Sequence, residues 1–185
     1  MKVLGLDLSS KPSRPSGYAL LNLDFKVIDY GHMYGDDEIK NYIMDTSPNI
    51  LSIDAPLSIS NSGFRDCEKL MLRYGFKVYP TTIKWMRMLA LRGINITRYA
   101  LKHGIKVIET HPTSSLRSCG FKGNPRSKRE ILDFLNKTWG VNVLKATKHV
   151  IDAILSAIAG ISYVKGSALI IEGSECSIVL ACRLS

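Results

Sequence analysis

Apolar positions along the chain come in two periods. Lys2–Ser9 is a short, nearly continuous apolar run, as a buried strand requires. Gly17–Leu23 and Lys26–Tyr34 read as second and third strands, with Asp24-Phe25 as a tight connection. Three strands joined by short links predict an antiparallel meander. Asp36–Met44 then predicts a helix entered through Asp36 or Asp37 and ending before Ser47-Pro48. Ile50–Ala55 is a fourth strand, stopped by Pro56. Strand, helix, strand in that order predicts a parallel crossover.

The centre of the chain takes helical spacing. One helix is predicted over Phe64–Tyr74, ended by Gly75, and a longer one over Ile83–His103, broken around Gly93–Ile96 and stopped by Gly104. Lys106–Thr110 is a fifth strand and Ser114–Cys119 a short helix. Ser127-Lys-Arg-Glu130 has the form of a capping box, before a helix running to about Trp139. Thr147 caps a last helix, Lys148–Val164, and the segments Ala168–Glu172 and Ser177–Ala181 pair as a terminal hairpin. The expected fold is one α/β domain over residues 1–185. Its mixed five-stranded sheet has the order 3-2-1-4-5, helices on both faces and a helical insertion after strand 4.

Three of these apolar elements each contain one carboxylate: Asp7, Asp54 and Asp152. A buried charge costs several kcal/mol unless it is paired. Neighbouring strands would carry Asp7 and Asp54 to one edge region, and the last helix would bring Asp152 to it. Carboxylates gathered in this way repel unless a cation or proton intervenes, and oxygen ligands suit Mg²⁺ or Mn²⁺. Glu109 is a possible fourth acid, with His149 and His111 as accessory groups. Each also has a purely structural reading: Asp7 and Asp54 as cap residues, Asp152 as a charge favoured by a helix N-terminus, Glu109 as an edge-strand charge.

Charge adds a partner. The chain carries a formal net charge of +9. Residues 1–64 hold five basic and eight acidic residues, 65–106 ten and two, and 113–150 eight and two. A basic middle between acidic ends fits a polyanion, and here a nucleic acid. Candidate phosphate contacts are Arg65, which could instead pair with Asp66 or Glu68, and Lys122, Arg126, Lys128 and Arg129 around a helix N-terminus, with Lys148 further on. Tyr79, Trp85, Tyr99 and Trp139 are interspersed and could stack on bases; most are expected in the core, with Tyr99 the most exposed.

Composition narrows the class. Hydrophobic residues are 45% and charged residues 22%, ordinary for a globular protein. No run is long enough to span a membrane, and no signal peptide precedes the first strand, so a cytoplasmic protein is expected. Cys67, Cys119, Cys176 and Cys182 form no C-x-x-C pair, which argues against zinc and for reduced thiols.

Motifs in order along the chain carry a resemblance. They are G-L-D-L-S-S at Gly5–Ser10, S-I-D-A-P-L-S at Ser52–Ser58, R-D-C-E at Arg65–Glu68, Y-P-T at Tyr79–Thr81, E-T-H-P at Glu109–Pro112 and H-V-I-D-A-I-L-S-A at His149–Ala157. The chain resembles domain-of-unknown-function family 429, described as predicted RNase H-like nucleases. The resemblance implies an RNase H-like fold akin to Holliday-junction resolvases and a divalent-metal site. It implies Asp7, Asp54 and Asp152 as ligands and Glu109 as an accessory. The chain departs from the family pattern at Val150-Ile151, where a further acid often precedes the last-helix aspartate, and so has fewer acids for a second metal. The expected activity is metal-dependent hydrolysis of phosphodiester bonds in DNA or RNA. Two alternatives stand beside it: a non-catalytic RNase H-like binding module, and a phosphotransferase of the actin and sugar-kinase type.

Overall fold

A computed structural model describes residues 1–182. Strands β1 (Lys2–Asp7), β2 (Ser16–Asn22) and β3 (Val27–Met33) form the meander. Helix α1 (Gly35–Thr46) crosses to β4 (Ile50–Asp54). Helices α2 (Asp66–Arg73) and α3 (Lys84–Lys102) lie between β4 and β5 (Lys106–Glu109). Helices α4 (Pro112–Ser118), α5 (Lys128–Trp139) and α6 (Lys148–Val164) follow, then a hairpin of β6 (Leu169–Glu172) and β7 (Ser177–Leu180). The sheet order is β3-β2-β1-β4-β5, as expected. The first two pairings are antiparallel, and β1–β4 and β4–β5 are parallel.

Side chains alternate across a strand, and that alternation separates two cores. Val3, Ala19, Leu21 and Ile50 pack with α4, α5 and α6 on one face. Leu4, Leu6, Leu20, Leu51 and Ile53 pack with Ile39 and Ile43 of α1 and Ile96 and Ala100 of α3 on the other. Helix α6 is buried almost all round because it lies directly on β1, β2 and β4. Its small residues permit this. A side chain at Gly5 would overlap the backbone at Ala153 and Ala157, and one at Gly17 the backbone at His149.

Two local expectations change. Helix α3 runs unbroken through Gly93. That glycine is a packing device: a Cβ there would sit 3.1 Å from the Ala55 Cβ and 3.3 Å from the Pro56 carbonyl oxygen. Helix α1 begins after Tyr34, with Asp36, Asp37 and Glu38 in its first turn; Tyr34 N–H donates to Glu38 Oε2 at 2.6 Å. The acids thus act on the helix dipole from inside the first turn.

The cysteines are the larger correction. Cys67 of α2 is bonded to Cys176 in the β6–β7 turn, and Cys119, at the end of α4, to Cys182 after β7. The expected reduced thiols are therefore two disulfides. Partners 109 and 63 residues apart meet only once the hairpin docks, so spacing could not reveal them. No helix among the described residues is long and apolar enough to cross a membrane.

Candidate metal centre and nucleic-acid interface

The period-2 alternation decides which acids meet. In β1, Val3, Gly5 and Asp7 face α6; in β4, Ile50, Ser52 and Asp54 do. Asp7 and Asp54 are direct partners in the parallel register. Adjacent strands lie about 4.8 Å apart, so the two carboxylates are neighbours at the strands' C-terminal ends. Asp152, in the second turn of α6, completes the cluster. Burial pushes the Asp54 carboxyl well above the usual range, and the charges of Asp7 and Asp152 push it further. Burial likewise raises Asp152, to about 6, although Lys148 opposes it. Asp54 accepts no hydrogen bond from the described residues.

Each of the other two acids has a basic neighbour from α6. Lys148 Nζ lies 2.5 Å from Asp152 Oδ1, an i,i+4 pair along α6. His149 Nδ1 lies 2.5 Å from Asp7 Oδ2, and this bond raises the imidazole pKa. Lys148, expected to meet phosphate, is thus turned onto Asp152. Among the described residues no group of three or more His, Cys, Asp or Glu side chains has a metal-holding arrangement. The donor types nevertheless fit a hard divalent cation: carboxylate oxygens from Asp7, Asp54 and Asp152, with one imidazole beside them.

Glu109 comes from the opposite face of its strand, although its charge also raises Asp54 and it lines the same cavity as Asp7 and Asp54. Its register partner is Ile53, which faces away from α6. Both Glu109 oxygens are taken by Arg65, at 2.6 and 2.8 Å, and Oε2 also accepts from Leu57 N–H at 2.8 Å. Arg65 is buried and bonded to Glu68 as well. Of the two readings open for Arg65, the structure shows the pairing with Glu68, and it adds Glu109, both of whose oxygens Arg65 engages. The residue that does face α6 is the next one, Thr110, whose hydroxyl donates to Ser156 Oγ at 3.0 Å. His111 caps α4 through Nδ1, which accepts from Ser114, and burial lowers its pKa to about 4.

The remaining basic candidates lie on the surface. Lys122, Arg126, Lys128 and Arg129 are all exposed. Lys128 and Arg129 line an open groove of about 620 Å³ between α5 and the 141–147 loop, with Lys145 and Thr147 on its other side. Thr147 caps the helix that carries Lys148, His149 and Asp152. Of the aromatic candidates, Tyr79 and Trp85 are the exposed ones, at 58% and 47%, while Tyr99 and Trp139 are partly buried, which reverses the expected order.

No family model matches this chain, and no curated protein does. Solved structures do. The chain is similar to RuvC of Thermus thermophilus, with a TM-score of 0.56 and 11% identity, over 90% of this chain and 97% of that one. It is also similar to T. thermophilus RuvC in complex with a Holliday junction substrate, with a TM-score of 0.54 and 13% identity, over 90% and 96%. The fold is RNase H-like. In this RNase H-like sheet the candidate acids sit at the C-terminal ends of the two central parallel strands, where open α/β sheets commonly bind ligands.

Proposed function

We propose that the protein is a metal-dependent nuclease that hydrolyses phosphodiester bonds of DNA or RNA. The observation that carries this reading is Asp54. It is a partly buried carboxylate with no hydrogen-bond donor among the described residues, and its pKa is raised first by desolvation and then by the charges of Asp7, Asp152 and Glu109. Such a group is costly as an anion and inexpensive beside a cation. Asp7, Asp54 and Asp152 would hold Mg²⁺ or Mn²⁺, which supplies Lewis acidity at the phosphoryl group and a nucleophilic water.

The chain's own groups have separate tasks. Asp7 uses one oxygen to orient His149 through Nδ1, which leaves Nε2 on the half-exposed side to take or give a proton. Lys148 neutralises Asp152 and is close enough to the cluster to meet a phosphate oxygen instead. The groove edged by Lys128, Arg129 and Lys145 would hold the backbone. The RNase H-like fold and the complex of a RuvC with a Holliday junction support a nucleic-acid substrate.

One observation favours a second reading. Lys148 and His149 already balance Asp152 and Asp7, as they would in a module that binds nucleic acid without cutting it. Cleavage assays on single-stranded, duplex, hybrid and branched substrates with Mn²⁺ separate the two. The nuclease reading predicts cleavage by the wild type, lost at least about 100-fold in Asp7→Asn, with binding largely retained. Binding without cleavage on every substrate would assign the second reading.

A further inference from the structure

Beside the acid cluster lies a second feature that phosphodiester hydrolysis does not use. It is a cavity of about 200 Å³ lined at one end by Asp7 and Asp54. Sites for drug-sized ligands run to about 300–1,000 Å³, so this one admits a single flat ring system and not a whole nucleotide. Its walls are apolar and aromatic: Tyr79, Trp85, Met86 and Leu89. Tyr79 and Trp85 stand edge to face, with centroids 5.5 Å apart. Large aromatic side chains left exposed against an ionic cluster are unusual in a protein that hides most of its apolar surface.

The polar end of the cavity is fixed. The Arg65–Glu109 pair lines it and is locked by Glu68 and Leu57 N–H. His111 also lines it. Its Nδ1 accepts from Ser114 N–H, so the neutral ring carries its proton on Nε2, a donor not used within the described residues. A planar heterocycle would therefore meet aromatic faces along its sides, and both a carboxylate and an N–H donor at its edge.

We propose that this cavity receives one unstacked nucleobase of the strand held at the acid cluster, so that the protein selects sites with an unpaired nucleotide. The inference rests on the nucleic-acid reading and gives it a structure preference. A flat, apolar-sided slot suits the base because every base offers a π-face, and stacking of one base on aromatic side chains is typically worth a factor of about 10 or more in affinity. Its position beside Asp7 and Asp54 places the phosphate next to that base at the acids. A base inside a duplex cannot enter without unpairing, and an already unpaired base avoids that cost.

The test uses the whole chain and two duplexes of equal length, one fully paired and one with a single unpaired 2-aminopurine. Binding is read by anisotropy without divalent metal, together with 2-aminopurine fluorescence. The bulged duplex should bind about 10-fold tighter, with its fluorescence quenched on binding. Trp85→Ala and Leu89→Trp, which removes one wall and fills the slot respectively, should bring the two affinities within about twofold and abolish the quench. Trp85 is half-exposed, so its variant keeps the fold even if the larger Leu89 replacement does not. Equal wild-type binding of the two duplexes, or a preference that survives Trp85→Ala, would overturn the proposal. So would free deoxyadenosine monophosphate binding as tightly as the bulged strand, which would make the slot a mononucleotide site. Failure of both duplexes to bind at all would instead sink the nucleic-acid reading.

Discussion

Asp54 shows how a single residue joins stability to function. Its carboxyl is raised by desolvation and by Asp7, Asp152 and Glu109, so the folded protein disfavours its anion. Asp54→Asn removes that charge and should stabilise the metal-free protein by on the order of 1 kcal/mol at pH 7, a rise in Tm of about 2–4 °C. Asp152 gives the pH dependence its sign. Its folded pKa of about 6 lies above the usual carboxylate value, so between roughly pH 4 and 6 the folded state holds a proton that the unfolded state has lost. Stability therefore falls as pH rises through that window. His149, also raised, adds to the fall above its unfolded value near 6.5. Thermal melts of wild type and Asp152→Asn from pH 4 to 8 check this: the variant's profile should be flatter over pH 4–6.

At the scale of elements, the outcome was set by register. The pattern of apolar runs made every strand and helix legible to within a few residues, together with the sheet order. Asp7, Asp54 and Asp152 stood out because each is a charge in an apolar run. Glu109 looked like a fourth member because it too lies in a strand. Parity shows that it comes from the other face: Glu109 pairs with Ile53, and it is the next residue, Thr110, that is bonded to α6. The partners of Arg65 could not be read, because a bidentate pair across 44 residues exists only in the fold. The i,i+4 spacing of Lys148 and Asp152 was visible and announces their pairing. If Arg65 buttresses Glu68 and Glu109, Arg65→Ala leaves two buried acids without it and should cost about 3–5 kcal/mol in urea unfolding. An exposed phosphate contact would cost less than about 0.5 kcal/mol.

Over the whole molecule, both disulfides fasten the C-terminal hairpin to the body, one to α2 and one to the end of α4. Ile178 of that hairpin also lines the cavity beside the acids, so the staples and the site share a wall. Reduction should lower stability by about 2–4 kcal/mol per bridge, read as a lower Tm in dithiothreitol and a mass increase on alkylation after reduction. Four alkylatable thiols in the untreated native protein would contradict this pairing. The basic groove includes Thr147, the cap of the helix that carries Lys148, His149 and Asp152.

The account rests on three aspartates sharing a divalent cation, and a calorimetric titration of Mn²⁺ tests it most directly. The wild type should bind Mn²⁺ at pH 7.5 and much more weakly at pH 5, because Asp152 must lose a proton near pH 6 and Asp54 also sits above the usual range. Asp54→Asn should bind at least about 10-fold more weakly at pH 7.5 while remaining folded. Mn²⁺ affinity that is the same in Asp54→Asn as in the wild type, or no binding by the wild type at pH 7.5, would contradict the account.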